Sequence, residues 1–421
     1  MNRLLPAALL SGLILLIDFY AFRGVKTATH SLAPHWRYLL HGLYWTTSAL
    51  TLAAVLSYNL IPAQALGRGG RALLMGWIFA HLFSRLLLLL FVLADDLRRL
   101  VVWVAGLFSA KSAGSAGNPI SRSEFLSKSG LIAAALPYVA VTRGFLKSAH
   151  DYQVLKRTVY LPHLPASFDG IRIAQISDIH AGSFWDRDAV IRGIGLLNAQ
   201  KPDMVFFTGD LVNNSAEEMQ PYTEVFMKIE APLGVYSVLG NHDYGDYSSW
   251  PSPQAKVDNL QQLKDTHKAM SWELLLNENR IIERNGESIA VIGIENWSAM
   301  ARFPKYGKLD QALAGSEKAA VKLLLSHDPT HWRAQVLGHR PEIDLMFAGH
   351  THGMQFGFEI GKFRWSPAQW IYKEWADLYQ EASQYLYVNR GFGYLALPGR
   401  IGILPEITLL ELRRGEAPAT T

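Results

Sequence analysis

The first 150 residues are dominated by long apolar runs. Residues 4–22 are almost unbroken in this respect, and runs of similar length follow at 38–61, 73–93 and 125–146. At about 1.5 Å per residue, each run can cross the roughly 30 Å hydrocarbon layer of a bilayer. The pattern therefore predicts a bundle of about four transmembrane helices. A cleaved signal peptide does not fit the first run, because no small-x-small site follows it and further spans do. Trp36, Tyr38, Tyr44 and Trp45 near the start of the second run suit a membrane interface. Residues 100–108 are apolar but too short to cross, and are predicted to lie along the interface. The Ser-, Gly- and Ala-rich residues 109–123 predict a loop. Pro137 interrupts the fourth run, which a membrane helix tolerates. Two charges fall inside spans, Asp18 and Arg85. Either they pair with each other, they snorkel to the interface, or Arg85 lines a transport pathway.

After residue 150 the period changes. Residues 152–161 alternate as an edge strand does. Short apolar runs at 171–176, 204–207, 235–239, 321–325 and 345–348 read as buried strands. Helical periodicity appears at 189–199, 217–229 and 253–270. Residues 272–276, 281–284 and 289–294 are predicted to be antiparallel strands of a second sheet. Strand–helix–strand order predicts an α/β core with polar residues at the strand C-terminal ends. The chain thus divides into a membrane region, 1–150, and a second domain, 151–421.

Each of the five buried runs is followed by His, Asp or Asn: Asp178-Ile179-His180, Gly209-Asp210, Gly240-Asn241-His242-Asp243, Ser326-His327-Asp328 and Gly349-His350-Thr351-His352. One such residue alone is more often a helix cap or a satisfied polar group. Five strand ends offering these residue types at one rim indicate a metal centre, since carboxylates and neutral imidazoles suit hard to borderline divalent ions. Asp178, His180, Asp210, Asn241, His327, His350 and His352 exceed the four ligands one zinc needs. They suit two ions sharing Asp210, as in two-metal hydrolytic sites that clamp both oxygens of an in-line displacement. That points to phosphoester cleavage.

The five blocks, in this order, resemble the calcineurin-like metallophosphoesterase superfamily over about residues 170–412. The ending, Asn389-Arg390-Gly391-Phe392-Gly393 and then Pro405-Glu406-Ile407, resembles its membrane-associated bacterial branch. The resemblance implies a four-layer αββα sandwich. It implies Asp178, His180, Asp210 and His352 on one ion, with Asp210, Asn241, His327 and His350 on the other. It also implies His242 as the catalytic group that protonates the leaving oxygen or steadies the transition state. The ions expected are Mn, Fe or Zn, with manganese favoured, and the nucleophile is a hydroxide carried on them. Relatives in this branch include enzymes that cleave the pyrophosphate of a lipid A precursor, a substrate that requires a cytoplasmic site.

Composition narrows the alternatives. There is no cysteine, which excludes disulfides, thiolate zinc sites and Cys nucleophiles. The net charge of +4 comes without any Lys/Arg-rich run, so no nucleic-acid partner is expected. The Lys/Arg bias of the loops slightly favours an external catalytic domain. Ser121-Arg122-Ser123-Glu124-Phe125-Leu126 resembles a twin-arginine signal with one arginine missing. Both place the protein in a bacterial cytoplasmic membrane with its catalytic domain periplasmic.

Asp243 and Asp328 are expected to orient His242 and His327; for Asp243, capping the next loop is the alternative. Arg390 and Arg400 are candidate phosphate clamps, or else members of structural ion pairs. Residues 363–379 carry Trp365, Trp370, Tyr372, Trp375 and Tyr379. They predict either an amphipathic lid or lipid-contacting helix, with Trp370 and Trp375 near substrate, or rings that cover the core. The expected function is a membrane-anchored phosphohydrolase acting on a phosphorylated small molecule or lipid, by phosphodiester or pyrophosphate cleavage. The alternative is a receptor or scaffold that uses the fold as a binding module.

Overall fold

The structure is a computed structural model that describes residues 4–108, 122–361, 363–396 and 399–417. The expected loop at 109–123 and the start of the arginine signal at Ser121 fall largely outside these residues. The chain divides into two compact units, Met1–Phe145 and Leu146–Thr421.

The first unit consists of α1 (Leu4–Thr29), α2 (Pro34–Leu60), α3 (Ala63–Phe108) and α4 (Arg122–Leu146). Each is long and apolar enough to cross a membrane. The separate interfacial helix expected at 100–108 is not formed: α3 runs through to Phe108, and its apolar stretch covers Gly69–Leu107. The charges at 95–99 do not break it because they are paired along the helix. Asp95 accepts from Arg98 and Arg99, each at 2.8 Å, and Asp96 accepts from Tyr20 and Arg23 of α1.

Asp18 and Arg85 take the paired alternative. Arg85 Nε lies 2.9 Å from Asp18 Oδ1, and both side chains are buried. His81 Nε2 approaches the same carboxylate at 3.2 Å, while its Nδ1 meets Tyr138 Oη at 2.9 Å. The Arg85 guanidinium also stacks over the Tyr44 ring at 3.9 Å. A charge held in hydrocarbon needs a set of partners of this kind.

The second unit contains fourteen strands and four further helices among the described residues. In chain order they are β1 (Gln153–Leu161), β2 (Arg172–Ile176), α5 (Arg187–Ala199), β3 (Met204–Phe207), α6 (Thr223–Phe226), β4 (Val235–Ser237) and α7 (Pro253–Ala269). Then come β5 (Glu273–Leu274), β6 (Glu278–Arg284), β7 (Glu287–Gly293), α8 (Leu309–Leu313), β8 (Val321–Leu325) and β9 (Leu345–Ala348). The last are β10 (Phe358–Ile360), β11 (Phe363–Trp365), β12 (Asp377–Glu381), β13 (Gln384–Val388) and β14 (Glu406–Arg414). One sheet has the order β1-β14-β2-β3-β4-β5 and the other β12-β13-β9-β8-β7-β6. The strands that lead to the five motifs run parallel to one another within each sheet, whereas β14 pairs antiparallel with β2.

Three cores define the layers. Ile173, Phe206, Val291, Leu323, Phe347 and Leu410 interdigitate between the sheets. Ile194 of α5 and Leu263 of α7 pack on the outer face of the first sheet. Leu309, Leu313, Trp332 and Val336 cover the outer face of the second. Helix, sheet, sheet and helix therefore stack in that order, the expected αββα arrangement. Local chemistry sets the helix starts: Asp186 caps α5 by accepting from Ala189 N, and Ser252 caps α7, which has Pro253 in its first turn.

Two further expected elements differ. The helix at 217–229 is instead a single 3₁₀ turn, Ala216–Met219, followed by the short α6, because Pro221 lacks the N–H and restrains Gln220. The strand near 272–276 joins the first sheet rather than the second, with β5 parallel to β4. Trp272 explains this placement, since it is buried against Phe207 and Phe226.

Candidate metal centre

Parallel strands deliver all five motifs to one rim. β2 ends before Asp178 and His180, β3 before Asp210, β4 before Asn241 and His242, β8 before His327, and β9 before His350 and His352. The turns beyond the strands are tight. Asp178, His180, Asp210, His350 and His352 all have φ between 47° and 70°, the left-handed region that non-glycine residues rarely enter. Such backbone costs on the order of 1–3 kcal/mol per residue and persists only where its surroundings impose it. Cross-turn hydrogen bonds do so here: Asp178 N donates to Gly209 O (2.9 Å), His180 N to Asp210 O (3.1 Å) and Gly349 N to His327 O (2.9 Å). Two glycines are needed for close approach. A Cβ on Gly240 would strike the Asp210 carboxylate, and one on Gly349 would strike Ser177 and Asp178.

Six of the seven candidate ligands fall into two groups, Asp178–His180–His352 and Asp210–His327–His350. In the first, His180 Nε2 lies 3.0 Å from His352 Nε2, which lies 3.2 Å from Asp178 Oδ1. In the second, His327 Nε2 lies 3.2 Å from Asp210 Oδ2 and 3.1 Å from His350 Nδ1. Asp210 Oδ2 is also 3.5 Å from His180 Nε2, so one carboxylate oxygen reaches both groups. Asn241 sits on the adjoining turn with its Oδ1 buried and without a hydrogen-bond partner. Ligand atoms about 2.0–2.2 Å from a common ion stand roughly 3.0–3.4 Å apart, so this spacing fits a metal. Buried ring nitrogens that face one another are otherwise poorly satisfied.

The electrostatics agree. Burial opposes ionisation of Asp210, but the imidazoles of His327, His242 and His180 hold it well below the ordinary carboxylate range. Asp178 is likewise lowered against burial, chiefly by His352. Burial lowers the pKa of His180 and of His350, favouring the neutral imidazole that binds a metal. His327 differs: burial works against its charged form, but Asp210 overrides this and raises it to about 10. An incoming divalent ion must therefore displace a proton there.

His242 is half-buried at the same rim. Its backbone N–H donates to Asp210 Oδ1 at 2.8 Å, and its Nδ1 meets the Asn213 carbonyl at 2.7 Å. A carbonyl only accepts, so Nδ1 carries a hydrogen and the Asn213 contact leaves Nε2 unengaged. The expected partners change accordingly. Asp243 does not hold the His242 ring; its carboxylate accepts from the backbone N–H groups of Asp210, Leu211 and Gly240 and so ties two ligand turns together. Burial and then repulsion by Asp210 push Asp243 up to about 7. Asp328 faces His350 rather than His327, with Oδ2 3.4 Å from His350 Nε2. Tyr372 Oη shares that nitrogen at 3.0 Å.

Arg390 is not a free clamp. It is buried and held by Glu406 (2.6 Å), Glu359 (2.7 Å) and Asp377 (3.6 Å). Arg400 donates to the carbonyls of Arg390, Gly391 and Gly393. The aromatic segment forms no amphipathic helix: it consists of β11, one 3₁₀ turn at Pro367–Trp370, and β12. Pro367 and short hydrogen-bonded turns exclude a longer helix. Trp375 is buried with Tyr372 and Ile403, whereas Trp370 is 73% exposed. Tyr247 was not singled out from sequence, yet its Oη accepts from Asn241 Nδ2 at 3.0 Å and its ring lies 4.7 Å from that of His242. The aromatic character of residues 244–250 was the only signal.

Comparison with known proteins agrees with this geometry. Residues 2–149 match a family model described as a calcineurin-like phosphoesterase transmembrane domain, and residues 171–354 match the calcineurin-like phosphoesterase model itself. A transmembrane protein with metallophosphoesterase domain from Danio rerio is 29% identical over 68% of this chain and 62% of its own length. The metallophosphoesterase YkuE of Bacillus subtilis is 28% identical over 63% of this chain and 86% of its own. UDP-2,3-diacylglucosamine pyrophosphatase LpxG of Chlamydia trachomatis is 26% identical over 55% of this chain and 81% of its own. The chain spans less than two thirds of the length of the vertebrate relatives it matches. Strand-end candidate ligands, a helix–sheet–sheet–helix stack and four apolar helices converge on one assignment: the chain belongs to the calcineurin-like phosphoesterase superfamily and carries that family's transmembrane domain.

Proposed function

We propose that this protein is a membrane-anchored dimetal phosphohydrolase. The observation that carries this reading is Asp210 Oδ2, a single oxygen within 3.5 Å of His180 and 3.2 Å of His327, each in a separate ligand group. Asp178, His180, Asp210 and His352 would hold one ion; Asp210, Asn241, His327 and His350 would hold the other. Bound there, two divalent ions supply a water of lowered pKa and positive charge against the phosphoryl oxygens. The protein's part is to orient the ligands and move a proton. As the imidazolium, with its Nδ1–H donated to the Asn213 carbonyl, His242 would pass its Nε2 proton to the departing oxygen or steady that oxygen's charge. Asp243 keeps the Asp210 and Gly240 turns in register, and Asp328 and Tyr372 set the ring of His350.

Manganese is the preferred ion, with iron or zinc as alternatives, because the donor set is oxygen and imidazole with no thiolate. The substrate class is a phosphoester or pyrophosphate borne by a small molecule or a lipid. The name of the Chlamydia relative, a pyrophosphatase of a diacylated sugar nucleotide, supports the lipid side of that range. The Lys/Arg bias of the loops favours the periplasmic side of a bacterial cytoplasmic membrane for the catalytic unit, and a periplasmic site argues against that relative's own cytoplasmic substrate while leaving other lipid phosphoesters open.

The test is hydrolysis of bis(p-nitrophenyl) phosphate by the purified full-length chain, before and after chelation and after Mn²⁺ is restored. Activity that is lost and then regained supports the proposal. A fully metal-loaded protein with no hydrolysis of this diester or of p-nitrophenyl phosphate overturns it.

A further inference from the structure

The segment between the His350–His352 turn and β12 folds into an amphipathic hairpin that faces the wrong way for a soluble protein. β10 and β11 pair antiparallel, with Phe358 opposite Trp365, Glu359 opposite Arg364 and Ile360 opposite Phe363. Alternation in a strand sends these pairs to opposite faces. The polar face is fastened to the catalytic unit: Glu359 accepts from Arg390 Nη2 at 2.7 Å, and Arg364 Nη1 lies 3.1 Å from Asp377. The apolar face is left outward. Ile360 is 72% exposed and Phe363 61%, and Trp370 on the following turn extends the patch. The rings touch in series, Phe358–Phe363 at 5.7 Å, Phe358–Trp365 at 5.5 Å and Trp365–Trp370 at 5.7 Å. Other large apolar side chains exposed on this unit, such as Val257 and Ile281, come from separate elements. Isolated exposure needs no explanation, but a contiguous aromatic patch marks a contact surface.

We propose that this hairpin docks into the interfacial layer of the lipid bilayer that anchors the chain. Three observations favour lipid over another occupant. The same chain carries four helices long and apolar enough to span a membrane, and residues 147–152 alone separate the last of them from β1. The patch is rich in Trp and Phe, side chains suited to the headgroup boundary. Lys373, three residues after Trp370, is exposed, which suits anionic headgroups.

The hairpin is braced against the metal centre. Ser366 Oγ donates to Gly353 O at 2.7 Å, Thr351 Oγ1 to Trp375 O at 2.6 Å, and Tyr372 Oη touches His350. A docked hairpin holds the ligand turn beside the bilayer surface. On the phosphohydrolase reading, the substrate is then an amphiphilic phosphoester taken from the membrane rather than from bulk water.

The absence of cysteine allows one thiol to be introduced and labelled uniquely. Full-length Ile360→Cys carrying the fluorophore NBD is reconstituted into phosphatidylethanolamine–phosphatidylglycerol vesicles with doxyl-labelled phosphatidylcholine. Lys318→Cys, in an exposed turn, is the control. Quenching at position 360 well above that at 318 is expected. Equal quenching overturns the docking, as does a blue-shifted but unquenched label, which assigns the face to a second copy of the chain.

In a second arm, the Ile360→Asp/Phe363→Asp variant should lose about tenfold or more on vesicle-embedded hexadecyl p-nitrophenyl phosphate. Its rate on soluble bis(p-nitrophenyl) phosphate should be unchanged. Equal effects on both substrates overturn the substrate class. If the parent cleaves neither, the phosphohydrolase reading fails while the quenching arm still decides the docking.

Discussion

His242 and Asp210 lie 2.8 Å apart through one backbone hydrogen bond, yet their removal should have different consequences. His242 touches no ligand group through its ring nitrogens, so His242→Ala should lower kcat by roughly 10²–10⁴ with metal content unchanged. Turnover of a diester alongside metal analysis checks this; a variant as fast as the parent removes the residue from the reaction. Asp210→Ala should lose both ions, because its Oδ2 serves both groups. Two full equivalents retained by that variant count against the bridge. The seven candidate ligands were legible because each follows a short apolar run, and parallel strands bring their C-terminal ends to one rim. Their supports were not legible. That Asp328 meets His350, that a carbonyl of Asn213 sets the His242 tautomer, and that Tyr247 touches both Asn241 and His242 depend on loop paths. Spacing in sequence does not encode those paths.

At the scale of elements, burial decides two further outcomes. His267 on α7 is enclosed by Phe207 and Trp272, and burial lowers its pKa to about 3. The unfolded chain binds a proton near 6.5 and the folded chain does not, so the stability this group contributes is present above pH 6.5. It is lost as pH falls from 6.5 toward 3, by up to about 1.4 kcal/mol per pH unit. Thermal unfolding measured across that range should be less pH-dependent for His267→Gln than for the parent; identical slopes contradict the assignment.

In the first unit, Asp18→Leu or Arg85→Leu alone strands a buried charge and should cost about 3–5 kcal/mol, whereas the double replacement should cost less than the two single ones combined. Thermal stability in detergent measures this cycle, and additive losses would argue against the pair. The paired charges at Asp95, Arg98 and Arg99 teach a related lesson. They look like the end of a span, but neutralised within one helix they let α3 continue.

For the whole molecule, the membrane region and the catalytic unit are joined by a short stretch of chain, so the sidedness of one fixes the lipids available to the other. With both termini outside, protease added to intact cells should remove the catalytic unit. Full protection, with cleavage only after lysis, would place it in the cytoplasm and reopen the substrates found there. The α/β core followed from the order of strands and helices and the αββα stack from the family resemblance, whereas membership of each sheet followed from neither. β5 joined the first sheet because Trp272 found its pocket there, and no local pattern foretells a partner distant in the chain.

Sequence alone determined the features that depend on period and on strand ends: four apolar helices, a parallel α/β core, and a rim of His, Asp and Asn. These are local, because a run of side chains sets its own period. Tertiary structure decided which side chains meet. It set Asp328 against His350, enclosed Arg390 among carboxylates, and split the aromatic segment, with Trp375 and Tyr372 covering a core and Phe363 and Trp370 outward. Those outcomes come from packing between elements far apart in the chain, where burial and charge pairing outweigh local preference.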